Sequence, residues 1–256
     1  MSDEAELVHL DVAGSAAGPA VATITLDNSR NRNALSRALM AQLSEHLDAL
    51  RVRDDVQAVV VAATGPAFCA GADMGEAAAE GMARGARALV ALQRRLVALE
   101  QPVVARVHGP VRAGGLGIVG ACDVVVCADT VSFAFTEVKL GLAPAAISLT
   151  TLPRLDPRTA SWAFLTGDTF TAAQAQQMGL VTSVVPAGAL DEAVADVVGS
   201  WCSASRQGLS ETKRLLNADL LRHIDEMGEQ VAAQSARLFA SDEARAALRA
   251  FLDRRR

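Results

Sequence analysis

Several features that would assign this chain at once are scarce or missing. Its four cysteines, Cys69, Cys122, Cys127 and Cys202, are scattered along 256 residues. They make neither a disulfide framework nor the paired CxxC spacing of a metal site, so a reduced, cytoplasmic protein is expected. No apolar run approaches the roughly 18 residues of a membrane span. The opening "MSDEAELVHL" is acidic and lacks the basic start of a secretory leader. There is no basic excess either: Lys and Arg number 24 against 29 Asp and Glu. That balance argues against nucleic acid as a partner. Low-complexity tracts and sharp linkers are absent as well.

What remains is an ordinary globular composition, 51% hydrophobic and 21% charged, on a chain long enough to bury a sizeable core. "AVATITL" (20–26) alternates and is β-branched, as in a strand, and "AVVVAA" (58–63) reads as a buried one. Between them, 34–52 repeats apolar residues at helical spacing, with Ser36 placed to cap it. A glycine-rich loop over 64–75 precedes an alanine-rich helix over 76–99, which Gly81 and Gly85 weaken locally. Further strands are expected at 102–107, 123–129, 131–135 and 180–185, and a helix at 114–122. Strands alternating with helices imply right-handed crossovers and a largely parallel α/β arrangement. A soft boundary near "SASRQG" divides a body, 1–200, from a helical region, 201–256, too small to bury itself alone.

"GGLGIVGACD" (114–123) spaces Gly115, Gly117 and Gly120 like a dinucleotide-binding turn. That motif needs a strand running almost directly into its glycines, and here six residues, His108 to Ala113, intervene. Gly117 and Gly120 are better read as sites of close helix packing. Gly114 has a different use. At a helix start its N–H has no intrahelical acceptor and carries partial positive charge. The small-residue loop "AFCAGAD" (67–73) supplies a second donor. Two N–H groups converging on one point make an oxyanion hole, where each is worth about 3 to 4 kcal/mol in the transition state.

The segments "RNRNALS", "AFCAGADM", "HGPVRAGGLGI", "ACDVVVCAD", "FAFTEVKLGLAP" and "LTGDTFTAAQAQQMGLVTSVV" stand in this order. In order and spacing the chain resembles the crotonase superfamily, which includes enoyl-CoA hydratases and isomerases. The resemblance runs from about residue 20 to the end. It implies a spiral of ββα units followed by a helical trimerisation region, assembled as a homotrimer or a hexamer (a dimer of trimers). It also implies an acyl-CoA thioester as substrate, with coenzyme A arriving as part of it and no metal or other cofactor. Matched position by position, the oxyanion donors fall on Ala72 and Gly114. The CoA moiety would lie along Arg32, Ala34, Ala70, Asp73 and Met74, with Arg254 reaching a neighbouring subunit's CoA. For Asp73, capping of the next helix is an equal reading.

Departures from the family pattern bear on the chemistry. Hydratases of the superfamily carry one glutamate in the glycine-rich helix and a second beyond the next strands. Here the first position is Gly117 and the second is Glu137. Ala113 replaces the first glycine of the usual triplet, and His108 replaces an asparagine. The resemblance therefore implies hydration of a 2-enoyl-CoA with Glu137 as the single acid/base. The "TEVKLGL" turn resembles that of methylglutaconyl-CoA hydratases. A 3,2-enoyl-CoA isomerase and a non-catalytic acyl-CoA-binding protein are the alternatives. Phe133, Phe135 and Leu140 around Glu137 predict a raised carboxyl pKa. His108 reads as a loop-stabilising residue, and Cys69 and Cys122 as buried packing thiols.

Overall fold

The computed structural model describes residues 5–14, 18–80 and 82–253. An edge strand, β1 (Val8–Ala13), runs antiparallel to β2 (Ala20–Leu26), with Val8 opposite Leu26. Helix α1 (Arg37–Leu50) leads to β3 (Val56–Ala63). Next come α2 (Met74–Glu80) and α3 (Ala83–Ala98), which lead to β4 (Val103–Val107). The two-residue β5 (Val111–Arg112) and α4 (Gly114–Ala121) precede β6 (Val124–Ala128). After β7 (Ser132–Ala134) the chain makes a 3-10 turn, Thr136–Leu140. It continues through α5 (Ala145–Thr151), α6 (Pro157–Thr166), β8 (Phe170–Thr171), α7 (Ala172–Gln177) and β9 (Ser183–Val185). Three helices finish it: α8 (Leu190–Cys202), α9 (Arg206–Phe239) and α10 (Asp242–Asp253).

The larger sheet has the order β1-β2-β3-β4-β6-β9, and every pairing after the first is parallel. A smaller sheet, β5-β7-β8, lies beside the loops that carry the glycine motifs. Helices cover the parallel strands, which is why β3 is buried at every position but Gln57 and reads as one apolar run. Helix α1 starts where expected: the Ser36 hydroxyl accepts the Leu39 N–H at 3.2 Å. Its Leu39, Leu43, Leu47 and Leu50 recur at helical spacing and are fully buried. Truncating one of them to alanine costs about 2 to 5 kcal/mol.

One sequence expectation changes, and three strands, β1, β5 and β8, had none. The helix expected over 76–99 is two helices, α2 and α3, separated at 81–82. Gly81 itself lies outside the described residues, but its low helical propensity falls at the break. β1 was not expected, although Val8, Leu10 and Val12 alternate with His9 and Asp11; it is an edge strand on which only Val8 is buried. β5 is two residues long, too short for any pattern.

The interruption at "SASRQG" holds as a turn, with Ser205 capping α9. α9 packs along α3 and α5. Near its start, buried Lys213 donates to Asp123 (2.7 Å) and to the carbonyls of Leu96 (3.2 Å) and Gln101 (3.0 Å). Asn217, one turn on, donates to Asp123 at 3.1 Å. No described helix is long and apolar enough to cross a membrane.

Candidate active site

Three loops meet where the two donors sit. Buried Asn33, at a left-handed φ of 53°, accepts the Asn28 N–H at 2.7 Å and donates to the carbonyls of Thr64 and Ala67, both at 2.9 Å. That cross-brace ties the 28–35 loop to the one after β3. Main-chain bonds from Leu35 N to Gly71 O (2.7 Å) and from Ala70 N to Arg32 O (3.0 Å) continue the seam. On the other side Arg112 N donates to Cys69 O at 2.9 Å.

Gly71 lies at φ +89°, and a Cβ there would stand 2.8 Å from the Ala113 Cβ and 3.4 Å from Gly114 N. A Cβ on Gly114 would stand 3.7 Å from Ala72 N. The backbones at 71–72 and 113–114 therefore face each other with no room for side chains between them. Among the described residues, neither Ala72 N–H nor Gly114 N–H donates to a protein acceptor. Gly114 is the first residue of α4, so its N–H also lies at the positive end of that helix. Ala113, just before it, holds φ 45° and ψ −119°, a conformation natural to glycine. Ala72 and Gly114 both line one cavity of about 800 Å³.

Glu137 faces the same cavity from the 3-10 turn after β7. Gly141, at φ 68°, ends that turn, and Leu142 N caps the Glu137 carbonyl at 3.0 Å. Behind it Phe135 packs on Phe164, with ring centroids 4.2 Å apart, and on Phe170 at 6.0 Å. The residue is half-buried, yet Oε2 is wholly buried and has no hydrogen-bond partner. Loss of hydration pushes the carboxyl up to about 7, against a backbone hydrogen bond that lowers it. The expected direction of the shift holds.

Gly117, at the first glutamate position, is tightly packed. A Cβ on Gly117 would lie 2.9 Å from both the Gln93 Oε1 and the Ile147 Cγ2. Gln93 is fully buried, donates to the carbonyls of Leu89 (3.2 Å) and Ala146 (3.1 Å), and accepts the Thr150 hydroxyl at 2.6 Å. Gly120 is tighter still, 2.7 Å from the Thr150 carbonyl. Close packing of α4 on α5 and α3 thus accounts for both glycines. Within the cavity lining, Glu137 is the lone carboxylate among the described residues.

Arg32, Ala70 and Met74 also line the cavity. Ala34 is buried behind the loop. The Asp73 carboxylate accepts the N–H groups of Gly75 (2.9 Å) and Glu76 (3.1 Å) and an Asn31 amide at 2.7 Å. It therefore caps α2 and borders a smaller neighbouring cavity. Arg254 lies outside the described residues. His108 holds its loop through a 2.9 Å contact from Nε2 to the Gly65 carbonyl. Cys69 and Cys122 are buried thiols pushed up to about 12. Ser235 and Phe239 of α9 line the cavity too. They carry no local motif, and the only signal for them is the fold itself.

Comparison with known proteins gives the family and the fold. The family model described as Enoyl-CoA hydratase/isomerase matches residues 16–256. A "Putative enoyl-CoA hydratase" of Thermus thermophilus is 33% identical over 242 residues, 92% of this chain and 95% of that protein. The "2,3-dehydroadipyl-CoA hydratase" of Escherichia coli is 31% identical, over 92% of this chain and 93% of its own length. A crystal structure of an enoyl-CoA hydratase from Mycobacterium avium superposes with a TM-score of 0.89 at 45% identity, covering 98% of each chain. With its mixed α/β fold and long C-terminal helix, the chain belongs to the enoyl-CoA hydratase/isomerase family of the crotonase superfamily.

Proposed function

We propose that this protein adds water across the double bond of a 2-enoyl-CoA thioester, with Glu137 as the single acid/base. One observation carries the reading: two partnerless N–H groups, from Ala72 and Gly114, share a cavity with a carboxyl group poised near neutrality. The thioester oxygen accepts both N–H groups. The Glu137 carboxylate takes a proton from water as its oxygen bonds to C3, and the C2=C3 electron pair moves toward the thioester oxygen. The resulting enolate then takes that proton back at C2, and the carbonyl re-forms. The donors act where charge develops, each worth about 3 to 4 kcal/mol. Arg32, Ala70 and Met74 would border the CoA moiety. Crotonyl-CoA tests this directly, because hydration removes the conjugated thioester absorbance. Glu137→Gln should lower turnover about 10²- to 10⁴-fold; full activity in that variant would end the assignment.

The filled space at Gly117 favours a second reading, 3-enoyl- to 2-enoyl-CoA isomerisation, since one carboxylate suffices to move a proton from C2 to C4. It predicts a gain of conjugated absorbance on 3-enoyl-CoA. Binding without turnover of either substrate would mark a non-catalytic acyl-CoA-binding protein. The reading includes assembly as a homotrimer or hexamer, supported by exposed Leu165, Leu215 and Leu216 on the helical surface. Light scattering should give three or six times the 26.6 kDa chain mass, and a monomer would overturn it.

A further inference from the structure

We infer that the acyl group taken by this cavity is a neutral, apolar chain longer than four carbons, and not one ending in a second carboxylate. This rests on the acyl-CoA reading above. The cavity wall has two unlike halves. Among the described residues, every charged side chain on it, Arg32, Arg112, Glu137 and Lys139, comes from the loops, short strand and turn around the oxyanion donors. The half built where α3, α5 and α9 pack together presents Ala86, Leu89, Ala146, Ile147 and Phe239, with Ser235 as its one polar residue among those described.

Two of the cavity's three described cations are already engaged, and the third, Arg32, belongs to the loop assigned above to the CoA moiety. Arg112 donates to the carbonyls of Val111 (2.9 Å) and Ser132 (2.6 Å) and to the Ser132 hydroxyl (2.8 Å). Lys139 is paired with Asp168 at 2.8 Å. A carboxylate at the far end of an acyl chain would lose its water among alkyl groups and find no cation among the described residues there. A methylene in the same place gains. Each one buried is worth about 0.8 kcal/mol, or about fourfold in affinity. Ala86 and Ala146 put only methyl groups on this part of the wall, so a lengthening chain meets apolar surface there.

Calorimetric titration of the intact protein with butanoyl-, hexanoyl-, octanoyl- and adipoyl-CoA tests this, alongside turnover of the matching 2-enoyl thioesters. Affinity should rise about fourfold per methylene across the neutral series, and adipoyl-CoA should bind about 100-fold more weakly than hexanoyl-CoA. Ser235→Leu should cut the octanoyl-over-butanoyl ratio at least about tenfold; should that variant fail to fold, Ala86→Val is read for the same ratio. Adipoyl-CoA binding as tightly as hexanoyl-CoA, or a flat series, overturns the inference. Graded binding with no turnover of any enoyl thioester upholds the inference and overturns the enzymatic reading. Failure to bind every acyl-CoA overturns both.

Discussion

Replacing Glu137 by glutamine should make the protein more stable at pH 8 while disabling it. The carboxyl moves from an ordinary 4.5 to about 7 because burial strips its hydration. That difference of about 2.5 units, at about 1.36 kcal/mol each, amounts to about 3 kcal/mol as an upper bound. The sign follows from where the proton is held more tightly. Between pH 4.5 and 7 the folded state keeps a proton that the unfolded chain has released, so wild-type stability falls as pH rises through that window. Below pH 4.5 both states are protonated and nothing is lost. Glutamine fills the same space and never ionises. Urea unfolding of both proteins at equal concentration, at pH 5 and pH 8, should show near-equal stability at the lower pH. At the higher pH the variant should lead by up to about 3 kcal/mol, or about 6 to 12 °C in Tm. In the same series, wild-type kcat/KM should fall below about pH 7 as the base is protonated. Parallel stability profiles for the two proteins would refute the claim that Glu137 is ionised at a cost.

Ala113→Gly should stabilise the fold by about 1 kcal/mol in thermal unfolding. Relief of a conformation costing about 1 to 3 kcal/mol outweighs the roughly 0.4 to 1 kcal/mol lost to a freer unfolded chain, and a lower Tm would count against the strain. Gly117→Glu should cost about 1 to 3 kcal/mol through overlap with Gln93 and Ile147. Adding Gln93→Ala should recover part of that, so a double-mutant cycle that closes additively would contradict the packing described. Lys213→Ala should cost about 3 to 5 kcal/mol, because Asp123 is left without its cation in a largely buried setting. Denaturant midpoints measure that loss, and a change under 1 kcal/mol would show the pair to be dispensable.

The parts legible in the sequence are those whose environment is uniform along the chain. β2, β3, β4 and α1 announce themselves because one side, or both, of a continuous segment is buried. α4 is buried on every face, so its periodicity says nothing, and its glycines mislead toward a nucleotide motif until the contacts at Gly117 and Gly120 are seen. Ala72, Gly114 and Glu137 could be singled out because short motifs carry them, and the fold does bring them to one cavity. Gln93, Ser235 and Phe239 were not legible. Ser235 and Phe239 reach the cavity from α9, and Gln93 of α3 packs against Gly117; none of the three carries a local motif, and only tertiary packing gives them meaning.

α9 acts as a ruler laid across the molecule. At one end Lys213 and Asn217 fix its rotation against Asp123; 22 residues further on, about 33 Å along the axis, Ser235 helps to shape the cavity. Because each residue turns a helix by about 100°, one amino acid inserted between those points would swing the far end to face elsewhere while leaving the anchor untouched. The shape of the cavity is thereby tied to a lysine that does not line it. Length between the two points, more than sequence identity along the way, is what this helix has to preserve.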